Sequence, residues 1–225
     1  MARVVKAADE RRSEFIAAAQ SLFYSKGYES TSVNDLINAV GVSKGAFYHY
    51  FDSKQAVLEA LVDDMQLQYQ ALVGDLVTSP DLDAISKWNQ LLAMTNQWKI
   101  EQKDGLLSFA RIINMDENLT LKHKLMAGSA KLLVADYAVI IQQGIDEGVF
   151  DTQSPADVAE LVVSLLYAFS EAVTDLLLHQ EQYEQPLQKA ISKVEAAQQS
   201  VERILGAQKG SLMLIDQATL AAWFK

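Results

Sequence analysis

The chain has 225 residues, half of them hydrophobic, with only 10 Gly and 3 Pro, which is typical of a globular protein and excludes a disordered chain. It contains no Cys, which excludes disulfides, thiolate metal sites and thiol catalysis, and a reducing cytoplasm is the simplest setting. The net charge of -10 argues against a general binder of polyanions. Residues 1–60 nevertheless carry seven basic side chains, Arg3 and Lys6 among them, against seven acidic ones, so the remainder holds the whole excess. An acidic body behind a locally basic head and an ordinary acidic protein both fit this distribution.

No segment of the sequence is predicted to cross a membrane. The first twelve residues lack the apolar centre of a signal peptide. The longest uncharged runs, such as residues 88–98, reach 11 residues, whereas a spanning helix needs roughly 20. We therefore expect a cytoplasmic protein with no membrane partner.

Apolar residues spaced by three and four predict four helices in the first third of the chain. Gly27 and Gly41 end the first two, because Gly accepts the left-handed conformation found after helix C-termini. Thr31 or Ser32 is the expected N-cap of the second helix, and Ser43 that of the third. The four predicted helices are one that ends at Lys26, then about 33–40, 43–50 and 53–77.

The rest of the chain also predicts helices. Ser154-Pro155 is a start signal, a capping residue followed by Pro at the first helical position, and Gly148 marks the preceding turn. The tail, residues 211–225, predicts a short helix packed on the body or a frayed end. No strand pattern and no internal repeat occurs, so the predicted fold class is all-α. The expected helices are about 83–102, 104–114, 119–146, 156–180 and 187–206.

The third predicted helix has the properties of one that enters the major groove of DNA. Such a helix needs a small footprint near its start, polar atoms that reach base edges and donors for phosphate oxygens. Phe47 is predicted to point into a three-helix core, and the polar residues share the opposite face. From these residues alone, a structural hairpin with a solvated polar face stays open. The residues expected to contact DNA are Thr31, Ser32, Ser43, Lys44, Gly45, Ala46, Tyr48, His49, Tyr50 and Lys54.

Residues 11–62 resemble the DNA-binding module of the tetracycline-repressor (TetR, AcrR-like) family of bacterial transcriptional regulators. The matching residues are Gly27-Tyr28, Thr31-Ser32-Val33, Leu36-Ile37, Gly41-Val42-Ser43-Lys44-Gly45, Phe47-Tyr48, Tyr50-Phe51, Lys54 and Leu58.

The resemblance implies roles for individual residues. It places Lys44, Ala46 and His49 near bases. It places Thr31, Tyr48, Tyr50 and Lys54 on phosphates. Two positions depart from the common pattern, since position 46 is often Thr and position 50 is commonly His in the family.

The resemblance also implies a domain organisation. We expect a three-helix helix-turn-helix domain at residues 1–55, joined by a long helix to an effector-binding and dimerisation domain at residues 56–225. The family dimerises through its last two long helices, here about 156–180 and 187–206, as a four-helix bundle.

The helix predicted at 156–180 contains an uncharged run of ten residues, 161–170. A helix that is apolar on more than one face is buried on more than one side, either in the core of the monomer or against a partner. An isologous homodimer is the interpretation we prefer, because two DNA-binding heads must span successive half-sites. The residues predicted at its interface are Leu161, Leu165, Phe169, Val173, Leu176, Val194 and Val201.

The central helices are rich in aromatic residues and Met, which line many small-molecule cavities but also fill ordinary cores. The resemblance implies an effector pocket among these helices. The predicted ligand-binding residues are Trp88, Met94, Trp98, Phe109, Met115, His123, Met126, Tyr137 and Tyr167.

Motifs for catalysis or cofactors are missing from the sequence. There is no phosphate-binding Gly loop, no HExxH and no GxSxG, and the three His residues have no metal-ligand spacing. We predict no cofactor, no metal and no enzymatic activity. The expected function is a repressor that a small-molecule effector of unknown identity releases from a double-stranded DNA operator. The alternatives are a helical interaction adaptor that no longer binds DNA and a small-molecule-processing enzyme.

Overall fold

The computed structural model describes residues 8–115 and 118–225, and within these it is all-α, as predicted. Arg3 and Lys6 of the predicted basic head lie outside the described residues. The helices are α1 Ala8–Lys26, α2 Val33–Val40, α3 Lys44–Tyr50, α4 Lys54–Thr78, α5 Ala84–Glu101, α6 Lys103–Ile113, α7 Leu119–Asp146, α8 Pro155–Leu178, α9 Pro186–Leu205 and α10 Gln217–Trp223, with a short 3₁₀ turn at Gln180–Gln182.

The first of two compact units contains α1, α2, α3, the beginning of α4 and α6. Its aromatic core is centred on Phe15, whose ring meets those of Phe47 and Phe51 edge to face, with centroids 5.3 and 5.9 Å apart. Edge-to-face contacts between buried rings stabilise a core beyond the area they bury. On another side of α1, Tyr24 contacts Phe109 of α6, with ring centroids 6.2 Å apart. The contact between Phe15 and Phe47 packs α3 against α1.

The second compact unit contains the end of α4, α5 and α7 to α10. Its core is built around Trp88 of α5 and Tyr137 of α7, both buried, with ring centroids 4.9 Å apart. α8 and α9 pack against each other, and α10 packs on α5 and α9. The side chain of Asn89 donates to the Ser211 carbonyl oxygen at 2.9 Å and accepts from the Met213 amide at 2.7 Å. The tail therefore forms a short helix on the body.

The compact units divide the chain differently from the split predicted after residue 55. The first unit extends along α4 to Gln68 and includes residues 104–119, because α6 packs on α1. The division into a DNA-binding domain at 1–55 and an effector and dimerisation domain at 56–225 stays a prediction.

The start of α8 differs in detail from its prediction. Ser154 precedes Pro155 as expected, but it adopts a left-handed conformation with φ of 52° and its hydroxyl makes no capping hydrogen bond. Ser154 is thus not a side-chain cap, and the Pro that follows it sets the start of the helix.

α8 is also long and apolar enough to cross a membrane by length and composition, with a mean hydropathy of 1.7 over 18 residues. Only 22% of that window is buried inside the protomer. The prediction considered uncharged runs alone and therefore missed this helix. A contact with another protein covers such a surface as well as a lipid does, so the composition alone does not show a membrane span.

Candidate nucleic-acid interface

The turn between α2 and α3 has the backbone geometry of a tight helix-turn-helix. Gly41 follows α2 with φ of 70°, and its amide donates to the carbonyl oxygens of Ile37 and Asn38. The Ser43 hydroxyl accepts a hydrogen bond from the Ala46 amide and so caps α3 as predicted. Because the turn and the cap are both local, the sequence determines the start of α3.

α3 places its apolar and polar residues on opposite faces. Phe47 is fully buried, whereas Tyr48 has 47% of its surface exposed. The Lys44 ammonium lies 5.9 Å from the centre of the Tyr48 ring, and the His49 ring meets that of Tyr50 edge to face. The exposed or half-exposed residues of this helix and its cap are Ser43, Lys44, Gly45, Ala46, Tyr48, His49 and Tyr50. We call these seven residues the α3 face.

Thr31 is not available for the phosphate contact predicted for it. Its side chain is buried, and its hydroxyl donates to the Gly27 carbonyl oxygen at 2.7 Å. This bond gives a hydrogen-bond donor to a carbonyl oxygen just after the C-terminus of α1. Thr31 therefore stabilises the connection between α1 and α2.

Ser32, which is also predicted to contact DNA, uses its hydroxyl and its amide in hydrogen bonds within the protein. Its hydroxyl and its amide both donate to the Asp35 carboxylate at 2.7 Å, and the hydroxyl accepts from the Asp35 amide. This reciprocal arrangement is a capping box. Lys26 approaches the same carboxylate at 2.8 Å. Ser32 and Asp35 therefore stabilise the start of α2.

Lys54, for which a phosphate contact is predicted, also makes contacts within the protein. Its ammonium donates to the Tyr28 carbonyl oxygen and lies over the Tyr28 ring. Sequence spacing could not show this bond, because its partners are 26 residues apart.

Two family models match separate parts of the chain. The model described as bacterial regulatory proteins, tetR family, matches residues 15–61 and thus contains α2 and α3. A second model, described as tetracyclin repressor-like C-terminal domain, matches residues 107–190. The chain belongs to the TetR family.

Curated relatives of this TetR-family chain include an HTH-type regulator of Lactococcus lactis, encoded in the lacX 3' region, which is 31% identical over 81 residues. That match covers 36% of this chain and 41% of the relative. The HTH-type transcriptional repressor KstR2 of Rhodococcus jostii is 36% identical over 68 residues, 28% of this chain and 33% of the relative. The chain thus matches only about a third to two fifths of the length of these relatives.

Solved structures extend the likeness of fold to nearly the whole chain. GusR of Salmonella enterica superposes with a TM-score of 0.64 at 14% identity, and the match covers 91% of this chain and 100% of GusR. At this identity the likeness concerns the fold alone.

The residues predicted to bind an effector in this TetR-family protein are not brought together as one set. Trp88 and Tyr137 form the centre of the second unit's core. Phe109 and Met115 belong to the first unit, because α6 packs on α1, and Met115 and His123 are exposed. The half-buried members are Met94, Trp98, Phe109, Met126 and Tyr167.

Sequence analysis missed one inward-facing tyrosine in this unit. Tyr69 packs against the same core as Trp88. It lies four and eight residues before the buried Val73 and Val77 on α4, which is the spacing of one helix face. That spacing could have identified Tyr69. Within the described residues, no group of three or more His, Asp or Glu side chains could hold a metal ion.

Three of the predicted dimer residues are buried within the protomer. Leu176 and Val194 pack together in a cluster where α8, α9 and α10 meet, and Val201 is fully buried in the main core. They are unavailable to a partner, because α8 and α9 use one side of each helix to pack on each other. Leu161 is 61% exposed, and the half-buried members are Leu165, Phe169 and Val173.

Proposed function

We propose that this chain is a sequence-specific transcriptional repressor that acts in the cytoplasm as a homodimer. In this proposal the α3 face enters the major groove of an operator, and an effector bound among the helices of residues 56–225 releases it. The observation that carries the proposal is the segregation of α3, with Phe47 fully buried and Tyr48 exposed on the other side.

Gly45 supports the same function. A Cβ atom added at this position would meet no other atom within 4 Å, so the fold of the chain does not require Gly there. Gly inside a helix costs about 0.5–1 kcal/mol relative to Ala. The close approach of α3 to another molecule accounts for a residue that the protein's own packing does not need.

A homodimer is supported by the surface of α8. This helix is apolar along its length yet only 22% buried in its most apolar window, and Leu161 stands exposed on it. A second copy that packs on this surface covers it and supplies the second head, which has to reach a half-site about 34 Å away.

Release by an effector requires a ligand that binds one head spacing better than another. A coupling free energy of about 1–3 kcal/mol between ligand and operator is typical of such systems. A ligand that raises the melting temperature and leaves operator affinity unchanged would contradict this part of the proposal.

A gel-shift titration on the intergenic DNA beside the protein's own gene tests the function. We expect binding that survives an excess of random competitor DNA and that weakens steeply with salt, because contacts with phosphates release counterions. A helical interaction adaptor, the alternative function, shows no preference for this DNA at any salt concentration. That result would overturn the proposal.

A further inference from the structure

Polar atoms from three helices of the second unit are buried in its core without a hydrogen bond of normal geometry. They are the indole nitrogen of Trp88 on α5 and the hydroxyls of Tyr69 on α4 and Tyr167 on α8. The Trp88 side chain is fully buried, and both tyrosines pack against the same core. Each unpaired buried polar group costs about 1–3 kcal/mol, so a protein seldom gathers several of them in one core.

The Tyr69 hydroxyl lies near a carboxyl group and near Tyr137 and Tyr167, and the Tyr137 ring contacts that of Trp88. The Tyr69 hydroxyl lies beside the Asp136 carboxyl group, and the Tyr167 hydroxyl lies beside the Ser129 side chain, in both cases without a hydrogen bond of normal geometry. Burial is the main cause that raises the pKa of Tyr69, and the proximity of Tyr137, Asp136 and Tyr167 adds to it. Burial likewise raises the pKa of Asp136. The environment therefore penalises the charged form of every titratable group in it.

We propose that these five residues, Tyr69, Trp88, Asp136, Tyr137 and Tyr167, form the effector site, and that its ligand is an uncharged, flat aromatic molecule bearing oxygen acceptors. This inference rests on the proposed function and specifies the chemistry of its ligand. We call the five residues the aromatic cluster.

The hydrogen-bonding capacity of the aromatic cluster selects the ligand's polar atoms. The Trp88 indole N–H can only donate, so the ligand atom opposite it must be an acceptor. Tyrosine hydroxyls can donate to the same kind of atom or accept from a ligand hydroxyl. A phenol or an aryl ketone offers such oxygens at the edge of a flat ring.

The rings and charges of the aromatic cluster select the rest of the ligand. Four of its five side chains are aromatic, and their faces suit stacking with a flat ring. None of the five carries a positive charge, so a carboxylate ligand would enter unpaired beside Asp136. A cation would meet the positive edge of the Trp88 N–H in a site that already disfavours charge. A neutral ligand avoids both costs.

Three probes with one ring system test this selectivity: 2-naphthol, 2-naphthoate and 2-naphthyltrimethylammonium. The full-length chain carrying Trp98→Phe and Trp223→Phe leaves Trp88 as the only indole, and quenching of its fluorescence reports binding. We expect 2-naphthol to bind at least about tenfold more tightly than either ion, because burial of an unpaired charge is costly. Equal or tighter binding of an ion, or no binding of 2-naphthol, overturns the inference.

Removing single hydroxyls tests the position of the site. Tyr69→Phe and Tyr167→Phe should each weaken 2-naphthol binding about fivefold, the effect of one lost hydrogen bond. The melting temperature of the unliganded variants should stay unchanged or rise, since the deleted hydroxyl makes no hydrogen bond of normal geometry in the protein. Tyr183→Phe is the matched control. Tyr183 follows α8, and its hydroxyl donates to the Asp175 carboxylate, so its loss should leave 2-naphthol binding unchanged.

The opposite outcome has a clear meaning. If Tyr69→Phe and Tyr167→Phe lower the melting temperature and leave 2-naphthol affinity intact, water or the protein already satisfies these hydroxyls, and the inference fails. A gel shift of each variant without probe separates this failure from that of the proposed function. If operator binding is retained but 2-naphthol is not preferred over the two ions, only the inference about the ligand is wrong. If 2-naphthol binds selectively but the operator is not bound, only the proposed repressor function is wrong.

Discussion

The Lys54 ammonium donates a hydrogen bond of 2.8 Å to the carbonyl oxygen of Tyr28 and lies 4.0 Å from the centre of the Tyr28 ring. Lys54 begins α4, and Tyr28 lies in the connection between α1 and α2. The Tyr28 ring in turn meets that of Phe23 edge to face. This one side chain therefore ties the start of α4 to the segment that leads into the helix-turn-helix.

Lys54→Met should destabilise the protein by about 2 kcal/mol, since it removes a hydrogen bond from a charged donor and a cation–π contact while keeping the apolar stem. Urea unfolding of the full chain measures the loss. If stability is unchanged and operator affinity falls with a shallower dependence on salt, Lys54 contacts a phosphate and the structural role is wrong.

Tyr48→Ala should weaken operator binding about tenfold and leave the helical content unchanged, because Tyr48 is exposed on α3 and its ring lies against the edge of Phe47. Gel shifts and circular dichroism give the two measurements. Tyr48→Phe is the control, since it keeps the ring and removes the hydroxyl expected on a phosphate. Unchanged operator affinity of Tyr48→Ala would mean that α3 does not face DNA as proposed.

Thr31→Val should cost about 1 kcal/mol of stability, because the buried hydroxyl that bonds to the Gly27 carbonyl oxygen is lost while the shape of the side chain is kept. Operator affinity at a temperature where the variant is fully folded should match that of the parent. A loss of affinity with unchanged stability would restore the phosphate contact that the sequence predicted for Thr31.

Acid should weaken the start of α2. Hydrogen bonds from Lys26 and Ser32 hold the pKa of Asp35 far below the usual carboxyl value. A depressed pKa in the folded state means that the stabilisation is complete above the ordinary carboxyl pKa of about 4 and is lost as the pH falls further. Asp35→Asn should therefore lower the melting temperature at neutral pH and have less effect in acid. Parallel melting curves for parent and variant across this pH range would contradict this role of Asp35.

Two glycines with positive φ offer a matched pair. Gly148 has φ of 72° and open space at its Cβ position, so Gly148→Ala should cost about 1 kcal/mol for the left-handed conformation alone. Gly206, after α9, has φ of 62°, and a Cβ there would lie 2.6 Å from the Asp151 carbonyl oxygen. Gly206→Ala should cost distinctly more, because backbone cannot rotate away from the clash. Urea unfolding of both variants measures the difference. Equal losses of stability would show that the segment around Asp151 moves away from the added Cβ at no cost.

Features that depend on neighbouring residues could be predicted from the sequence. The all-α class, the turn at Gly41, the cap at Ser43 and the burial of Phe47 against the exposure of Tyr48 all follow from spacings of a few residues. Helical periodicity and capping depend on residues that are close in the sequence, so the sequence alone predicts them. The TetR family and its fold were recognised from the same short segment.

Only the tertiary structure decided which partner each polar group takes. Thr31 and Lys54 look like phosphate ligands in the sequence, but both bond to carbonyl oxygens of the connection between α1 and α2. Tyr69, Trp88 and Tyr167 are far apart along the chain, yet packing of α4, α5 and α8 buries their polar atoms in one core. Periodicity shows which side of a helix is apolar, whereas the neighbour that a side chain meets depends on how separate helices pack in three dimensions.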